Sequence, residues 1–483
     1  MADLASNGHG EVELNQALNE AKLSMFHLRA LVTAGLGFFT DAYDLFIIGT
    51  ATTLIKAQWH LSSAQTGLIN STSLIAAFLG AFLFGRLADV FGRKKIYGLE
   101  ASLMAVGALA SAFAPGLIWL IAFRFIMGIG IGGDYPVSAV LMSEFANRKD
   151  RGKLVGLVFS MQALGLVLGP IVGLTLLSTG MSHDLAWRLM LGLGAVPAAS
   201  VILLRRRMPE SPRYTASVKG MGAEAAAAAL NYSGGVVKAK VATGSTKRLS
   251  LGKFLSDPRY ALYLLGTAGS WFLFDYAYYG NSVSAPLIVK AVLGAGKHPL
   301  SQVLSLNLLI FTLAAVPGYL LASFAMDRIG HRRLQLIGFV FMGLAFLAIG
   351  IVPGITKEAV PFLLVFGISY FFAEFGPNTT TFVLSAEVYP VSQRTTGHGI
   401  SAGVAKVGAF LGVFLFPIIT KALGLAGVMT LVAGFSALGF GLTLLLPEPA
   451  RRPIEEVSIE EELISAAEAI IGGAAPSGTG VTP

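Results

Sequence analysis

The sequence predicts an all-α membrane protein of twelve transmembrane helices arranged as two six-helix pseudo-repeat bundles. Three observations carry that expectation. The 483-residue chain is 54% apolar and only 13% charged, with a mean hydropathy of +0.70, whereas a typical soluble chain is about 25% charged; lipid is its main solvent. Twelve stretches are apolar over the roughly 20 residues a helix needs to cross the hydrocarbon core. Short motifs also recur between the first six stretches and the last six at a nearly constant offset.

The first six spans are expected at 29–54, 66–88, 96–114, 117–141, 154–179 and 186–205. The second six are expected at 259–293, 301–325, 334–352, 359–385, 398–423 and 425–446. The seventh is long enough to include a re-entrant piece. These divide the chain into a tail (1–24), a bundle (25–205), a loop (206–258), a second bundle (259–447) and a second tail (448–483). Residues 1–24 are polar and lack the apolar core of a cleavable signal, so the N-terminus is expected to stay inside. Counting Lys and Arg between the spans places 27 on the side of the tails and six (Lys56, Arg188, Lys290, Lys297, Lys357 and Lys421) on the other. By the positive-inside rule both termini are cytoplasmic. Arg124 and Lys406 fall within spans. The net charge of +8 therefore reflects topology rather than nucleic-acid binding. The absence of cysteine excludes disulfides, thiolate metal sites and a cysteine nucleophile. No G-x-x-x-x-G-K-[ST] loop occurs, so ATP-driven transport by this chain is disfavoured; no metal, cofactor or enzymatic activity is expected.

The repeat is read from three patterns. Asp89, Gly92 and Arg93 follow the second span, and Asp327, Gly330 and His331 follow the eighth, 238 residues on. Pro209-Glu210 recurs at the same offset as Pro447-Glu448. Glu144 leads to Arg151 after the fourth span, and Glu387 leads to Arg394 after the tenth, at an offset of 243. Parallel halves around a midplane site suit a carrier that opens to either side by rocking. In that reading Asp89, Arg93, Glu144, Arg151, Asp327, Glu387 and Arg394 form gating ion pairs, with Lys94 and Lys95 beside Arg93. Gly85 and Gly92 permit close approach and a tight turn. The alternative is that these charges only anchor helix ends at the headgroups.

Ionisable groups at bilayer depth are costly, and so mark function by default. Asp41 and Asp44 lie mid-span in the first helix, and Asp134 and Tyr135 in the inner half of the fourth, where Pro136 and the glycines at 132 and 133 could free carbonyls to a cavity. Trp271, Asp275 and Tyr279 are spaced four apart and share a face. Gln162, Glu374, Asn378 and Lys406 complete the set from the fifth, tenth and eleventh spans. They could be polar glue between helices. Together they describe a polar substrate site suited to an anion with acidic hydrogens: Lys406 supplies positive charge and a carboxylate accepts a bond from the substrate's own hydroxyl. Monobasic phosphate fits, with a proton accompanying it because a bare anion would be repelled by the carboxylates. Sugars remain open on chemistry alone.

Gly85-Arg-Leu-Ala-Asp89-Val-Phe-Gly92-Arg-Lys-Lys95 closely resembles the loop signature of the major facilitator superfamily. Pro209-Glu-Ser-Pro-Arg213 resembles the motif after the sixth helix in its sugar-porter and phosphate-porter branches. Gly132-Gly-Asp-Tyr-Pro-Val-Ser-Ala-Val-Leu-Met-Ser-Glu144, followed by Arg151-Gly, is very similar to the signature of the phosphate:proton symporters. So are Phe38-Phe-Thr-Asp41-Ala-Tyr-Asp44 and Trp271-Phe-Leu-Phe-Asp275 with Tyr278-Tyr-Gly280. The resemblance implies the major facilitator fold and alternating access. It places Tyr135, Gln162, Trp271, Asp275, Tyr279 and Asn378 around phosphate, and matches Lys406 to the family's eleventh-helix lysine. Asp41 and Asp134 match its proton-route carboxylates and Glu100 a third; Asp44 is grouped with them. The implied function is secondary active import of inorganic phosphate with protons at the plasma or cytoplasmic membrane, with arsenate as competitor. A sugar or organic-anion symporter and a phosphate-sensing receptor with little flux are the alternatives. Tyr276 stands where relatives commonly have a smaller residue. The acidic stretch from Ile454 to Ile470 could form a short helix.

Overall fold

The computed structural model describes residues 12–232, 239–240, 249–294 and 299–458. Among these, nine helices are long and apolar enough to cross a membrane. One of them, Val391–Thr443, is two spans: Gly424 turns the chain with φ +69° and ψ 173°, backbone only glycine adopts freely. The third span (Leu99–Ala112) is shorter than expected, because Arg93–Ile96 forms a separate turn ahead of it. The seventh is a chain of segments, Pro258–Leu264, Leu265–Gly269 and Ser270–Val283. Each of the twelve expected spans therefore has a helical counterpart.

The helix ends follow local rules. Ser62 starts the second span (Ser63–Phe91) with a capping box: its hydroxyl accepts from Gln65 N at 3.2 Å and Gln65 Oε1 accepts from Ser62 N at 2.8 Å. At the other end Gly92 and Gly330 take φ of +104° and +110°, turning the chain identically in the two halves. The extra length of the seventh span is a helix, Ala285–Leu293, with Ala285, Ile288, Val289 and Val292 buried; it does not re-enter as an irregular loop.

The fourth span corrects a further expectation. Its helix, Leu117–Phe145, runs unbroken through Pro136, and the glycines do not open a cavity. A Cβ at Gly132 would meet the Ala77 carbonyl, and one at Gly133 the Phe84 ring at 2.7 Å, so both serve close packing of the second and fourth spans, as small residues do between membrane helices. The π-helical backbone lies in the second half. Three π-helical turns interrupt its spans at Leu265–Gly269, Phe311–Ala315 and Glu374–Asn378, the last containing Pro377 and a non-helical Gly376. Such turns reorient the side chains within and after them: Trp271 and Asp275, Tyr319, and Asn378.

The linker between the halves carries short helices at Pro212–Ser217, Gly222–Tyr232 and Leu251–Ser256. Residues Val12–Glu13 pair in parallel with Ala239–Lys240, a minimal two-stranded exception to an otherwise helical chain. Ile454–Val457 is one helical turn; the acidic stretch beyond residue 458, and Lys297, lie outside the described residues.

Candidate functional site

The seventh span, straightened after its π turn, presents Asp275 and Tyr279 one turn apart toward the eleventh span. There Lys406 Nζ donates to Asp275 Oδ2 at 2.9 Å and to the Tyr279 hydroxyl at 3.1 Å. The ammonium also lies 4.4 Å from the ring centroids of Tyr135 and Tyr279, close enough for cation–π attraction. The Tyr135 and Tyr279 hydroxyls are 3.4 Å apart, which joins the halves. Gln162, first residue after the break at Met161 in the fifth span, donates from Nε2 to the Tyr135 hydroxyl at 3.0 Å. Its Oε1 accepts from the Tyr319 hydroxyl at 3.1 Å. Asn378 Nδ2 donates to the Tyr319 hydroxyl at 2.8 Å and also to Glu374 Oε2.

One continuous polar chain thus runs Asp275, Lys406, Tyr279, Tyr135, Gln162, Tyr319, Asn378, Glu374. Every member is at most 3% exposed. Aromatic rings wall it: Phe38 is edge-on to Tyr135 at 5.1 Å, Phe159 stacks on Phe382 at 4.5 Å, and Phe46 stacks on Tyr279 at 5.9 Å. Trp271 packs 6.1 Å from Tyr135. The structure therefore brings together all seven residues expected at the substrate site. Tyr319, their central link, was not anticipated; no motif marked it, and only the π turn ahead of it aims it inward.

The carboxylates expected on the proton route lie beside this chain in the first half. Glu100 and Asp134 are not free: Arg205 donates from one guanidinium nitrogen to Glu100 at 2.7 Å and from another to Asp134 at 2.8 Å. Ser138 adds a hydroxyl to Asp134, and the guanidinium rests on the Tyr97 ring at 4.4 Å. Arg205, the last residue of the sixth expected span, is fully buried. Asp41 and Asp44 each have both carboxylate oxygens without a hydrogen-bond partner among the described residues. Asp41 stands within electrostatic reach of Asp134, Arg205, Asp44 and Lys406. Arg124 reaches the backbone oxygen of Asp44 at 3.1 Å.

At the terminus-bearing side the halves are latched. Asp89 accepts from the Thr396 amide at 2.6 Å and from the Thr395 hydroxyl, capping the eleventh span. Asp327 accepts from the amides of Gly152 and Lys153 at 3.1 and 2.7 Å, capping the fifth span. A carboxylate on the exposed amides of a helix start satisfies orphan donors and opposes the helix dipole. Glu144 Oε1 accepts from Arg93 at 3.1 Å and, across the halves, from Arg394 at 3.3 Å. In the repeat position Glu387 meets His331 at 3.1 Å. Arg151 donates to the Arg452 carbonyl at 3.0 Å. Lys94 and Lys95 are exposed and stay at the surface, unlike Arg93. Gly85 admits the eleventh span closely: a Cβ there would sit 2.6 Å from the Thr395 carbonyl.

On the far side the contact between halves is apolar. Phe46 meets Tyr278 and Phe311, Gly49 faces the Val283 carbonyl, and Gly173 faces Leu304.

Two six-helix halves enclosing a polar chain at mid-depth define a multi-pass membrane transporter, not an enzyme. The chain belongs to the sugar (and other) transporter family, whose model matches residues 30–460. Among known proteins it is 34% identical to inorganic phosphate transporter 1-6 of Oryza sativa subsp. japonica, over 94% of this chain and 96% of that one. It is 34% identical to low affinity inorganic phosphate transporter 4 of Medicago truncatula, over 93% and 95%. Among solved structures it matches the major facilitator superfamily proton:xylose symporter XylE bound to 6-bromo-6-deoxy-D-glucose with a TM-score of 0.76, at 18% identity over 91% of this chain and 99% of that one. The inward open conformation of XylE from E. coli gives a TM-score of 0.63 at 20% identity over 90% and 99%. The fold is that of the major facilitator superfamily.

Proposed function

We propose that this transporter imports inorganic phosphate together with protons by alternating access, at the plasma or cytoplasmic membrane and with both termini cytoplasmic. The observation that carries the reading is Lys406, a buried cation at mid-depth ringed by hydroxyl and amide groups and paired to Asp275. A sugar needs no such cation; an oxyanion does. Phosphate enters by displacing Asp275 from part of the ammonium, and its own hydroxyl then donates to that carboxylate. Tyr135, Gln162, Tyr279 and Asn378 supply the remaining donors, and Trp271 closes the wall. Asp41 and Asp44 take up protons from the far side, while the Glu100, Arg205 and Asp134 cluster holds the charge balance as the halves rock. Asp89, Asp327, Glu144, Arg394 and their partners keep the cytoplasmic side shut until release. The relatives' names support phosphate as cargo, and arsenate, nearly isosteric, competes with it.

The test is labelled phosphate uptake into proteoliposomes with an imposed inward proton gradient, repeated with a protonophore. Gradient-dependent uptake abolished by Asp275→Asn is the expected result. Uptake indifferent to the gradient removes the proton coupling, and uptake of a sugar or organic anion in place of phosphate removes the cargo.

A further inference from the structure

Glu374 is the end of the polar chain, and the transport cycle described above leaves it without a task. It is fully buried in the tenth span, at the start of the π turn Glu374–Asn378. Asp275, at the other end of the chain, has Lys406; Glu100 and Asp134 have Arg205. Among the described residues Glu374 faces neutral groups: Asn378 and Tyr370 on its own span, Tyr278 of the seventh and Tyr319 of the eighth, with its Oε1 left without a hydrogen-bond partner. A Cβ placed on Gly318 of the eighth span would sit 2.9 Å from the Glu374 Cβ, so only a glycine lets that helix pass so close. A buried carboxylate without a cation is costly to keep ionised.

The donors of Asn378 are the second observation. Its amide nitrogen has two hydrogens, and the structure commits one to the Tyr319 hydroxyl and the other to Glu374. To donate to a substrate oxygen, Asn378 must release one of them. An ionised Glu374 holds that hydrogen with a charge-assisted bond, roughly twice as strong as the neutral one it becomes on protonation.

We infer that Glu374 is a further proton-coupling carboxylate, in the half opposite Asp41 and Asp44, and acts as a positioning residue by releasing the Asn378 amide to phosphate only when it is protonated. The inference rests on the reading of the central chain as a phosphate site. A proton from the aqueous phase binds a Glu374 carboxylate oxygen, one Asn378 N–H turns to a phosphate oxygen, and on the exit side phosphate departs, the amide returns and the proton passes to water. No other bond is made or broken. By linkage, protonation and phosphate binding favour one another by the same factor.

The experiment compares the parent protein with Glu374→Gln in proteoliposomes. Phosphate exchange without a proton gradient measures the carrier itself, and its half-saturation concentration is followed from pH 5.5 to 8. Phosphate changes its own protonation over this range equally for both proteins, so the ratio of their affinities isolates Glu374. The parent is expected to lose about tenfold in affinity relative to the variant as pH rises, within the usual range of coupling between two sites. The variant is expected to keep exchanging phosphate but to accumulate less of it under a gradient. Tyr278→Phe, which removes a hydroxyl facing the carboxyl and leaves it against an apolar ring, shifts the pH midpoint, an effect mere packing would not produce. If Glu374→Gln keeps the parent's pH dependence and its gradient-driven accumulation, the inference is wrong. If Glu374→Gln does not fold, an unmoved midpoint in Tyr278→Phe overturns the inference in its place. If the parent exchanges no phosphate, the reading beneath it fails instead.

Discussion

The pair of Asp275 and Lys406 separates stability from function at the level of single residues. Removing one member of a buried ion pair strands the other and costs about 3 kcal/mol or more, whereas replacing both by neutral groups is far milder. Lys406→Met is therefore expected to lower thermal stability in detergent sharply. Asp275→Asn with Lys406→Met is expected to recover most of that loss and still bind no phosphate, which calorimetry of binding beside a melting curve checks. Glu455 offers a pH test outside the membrane. Burial opposes its ionisation, but the Arg213 guanidinium at 2.8 Å and the Asn19 amide at 3.1 Å hold its pKa at about 2, below the usual 4.5. A depressed carboxylate contributes stability that is full above the unfolded pKa and is lost as pH falls through the folded one. The destabilisation by Glu455→Gln should accordingly be full at pH 7 and shrink from pH 4.5 toward 2, as measured by unfolding at each pH. Most of the central chain was legible in sequence because polar side chains in apolar spans announce themselves. Arg205 and Tyr319 were not: an arginine one residue inside a helix end looks like a headgroup anchor, and one tyrosine among many carries no signal until its helix is placed.

Among the elements, the second and eleventh spans meet through Gly85, and the second and fourth through Gly132. The two glycines differ in which motion they touch. A side chain at Gly85 collides with the Thr395 carbonyl at 2.6 Å and the Gly399 Cα at 3.1 Å, in the other half, a clash relieved by opening. A side chain at Gly132 collides with the Ala77 backbone of its own half, and opening gives no relief. Gly85→Val is expected to favour opening on the side that carries the termini, on the order of tenfold for each 1.4 kcal/mol of clash relieved, while Gly132→Val destabilises the fold in every state. Ser143→Cys reports the difference: its hydroxyl bonds the Ala386 carbonyl across the halves at 3.2 Å, and the parent chain has no cysteine to confuse maleimide labelling. Faster labelling in Gly85→Val, with unchanged labelling of folded Gly132→Val, is the expected outcome. The spans themselves were readable from apolar length. The π turns were not, because a single extra residue in a helical turn leaves hydropathy unchanged, and the glycines of the fourth span read as looseness until the neighbouring backbone showed them to be contacts.

For the whole molecule, the repeat seen as an offset of 238 residues is a repeat of mechanism. Asp89 caps a helix of the second half and Asp327 a helix of the first, so each half holds the other by the same device. Each cap is worth about 1 kcal/mol, and the two share no partner. Their effects should therefore add in free energy: Asp89→Asn and Asp327→Asn each speed labelling at position 143, and the double variant speeds it by the product of the two factors. A double variant no faster than either single one would mean that the caps act as one unit.

The two closures differ in kind. Carboxylates, guanidinium groups and helix amides bind the end that carries the termini, while rings and aliphatic chains meet at the far end. Apolar association weakens on cooling and carries a heat-capacity change that ionic and hydrogen-bonded contacts do not share. The balance between the two open forms is thus itself a thermometer: chilling loosens the apolar closure and leaves the ionic one in place, so cold gathers the carriers in the form open at the apolar end.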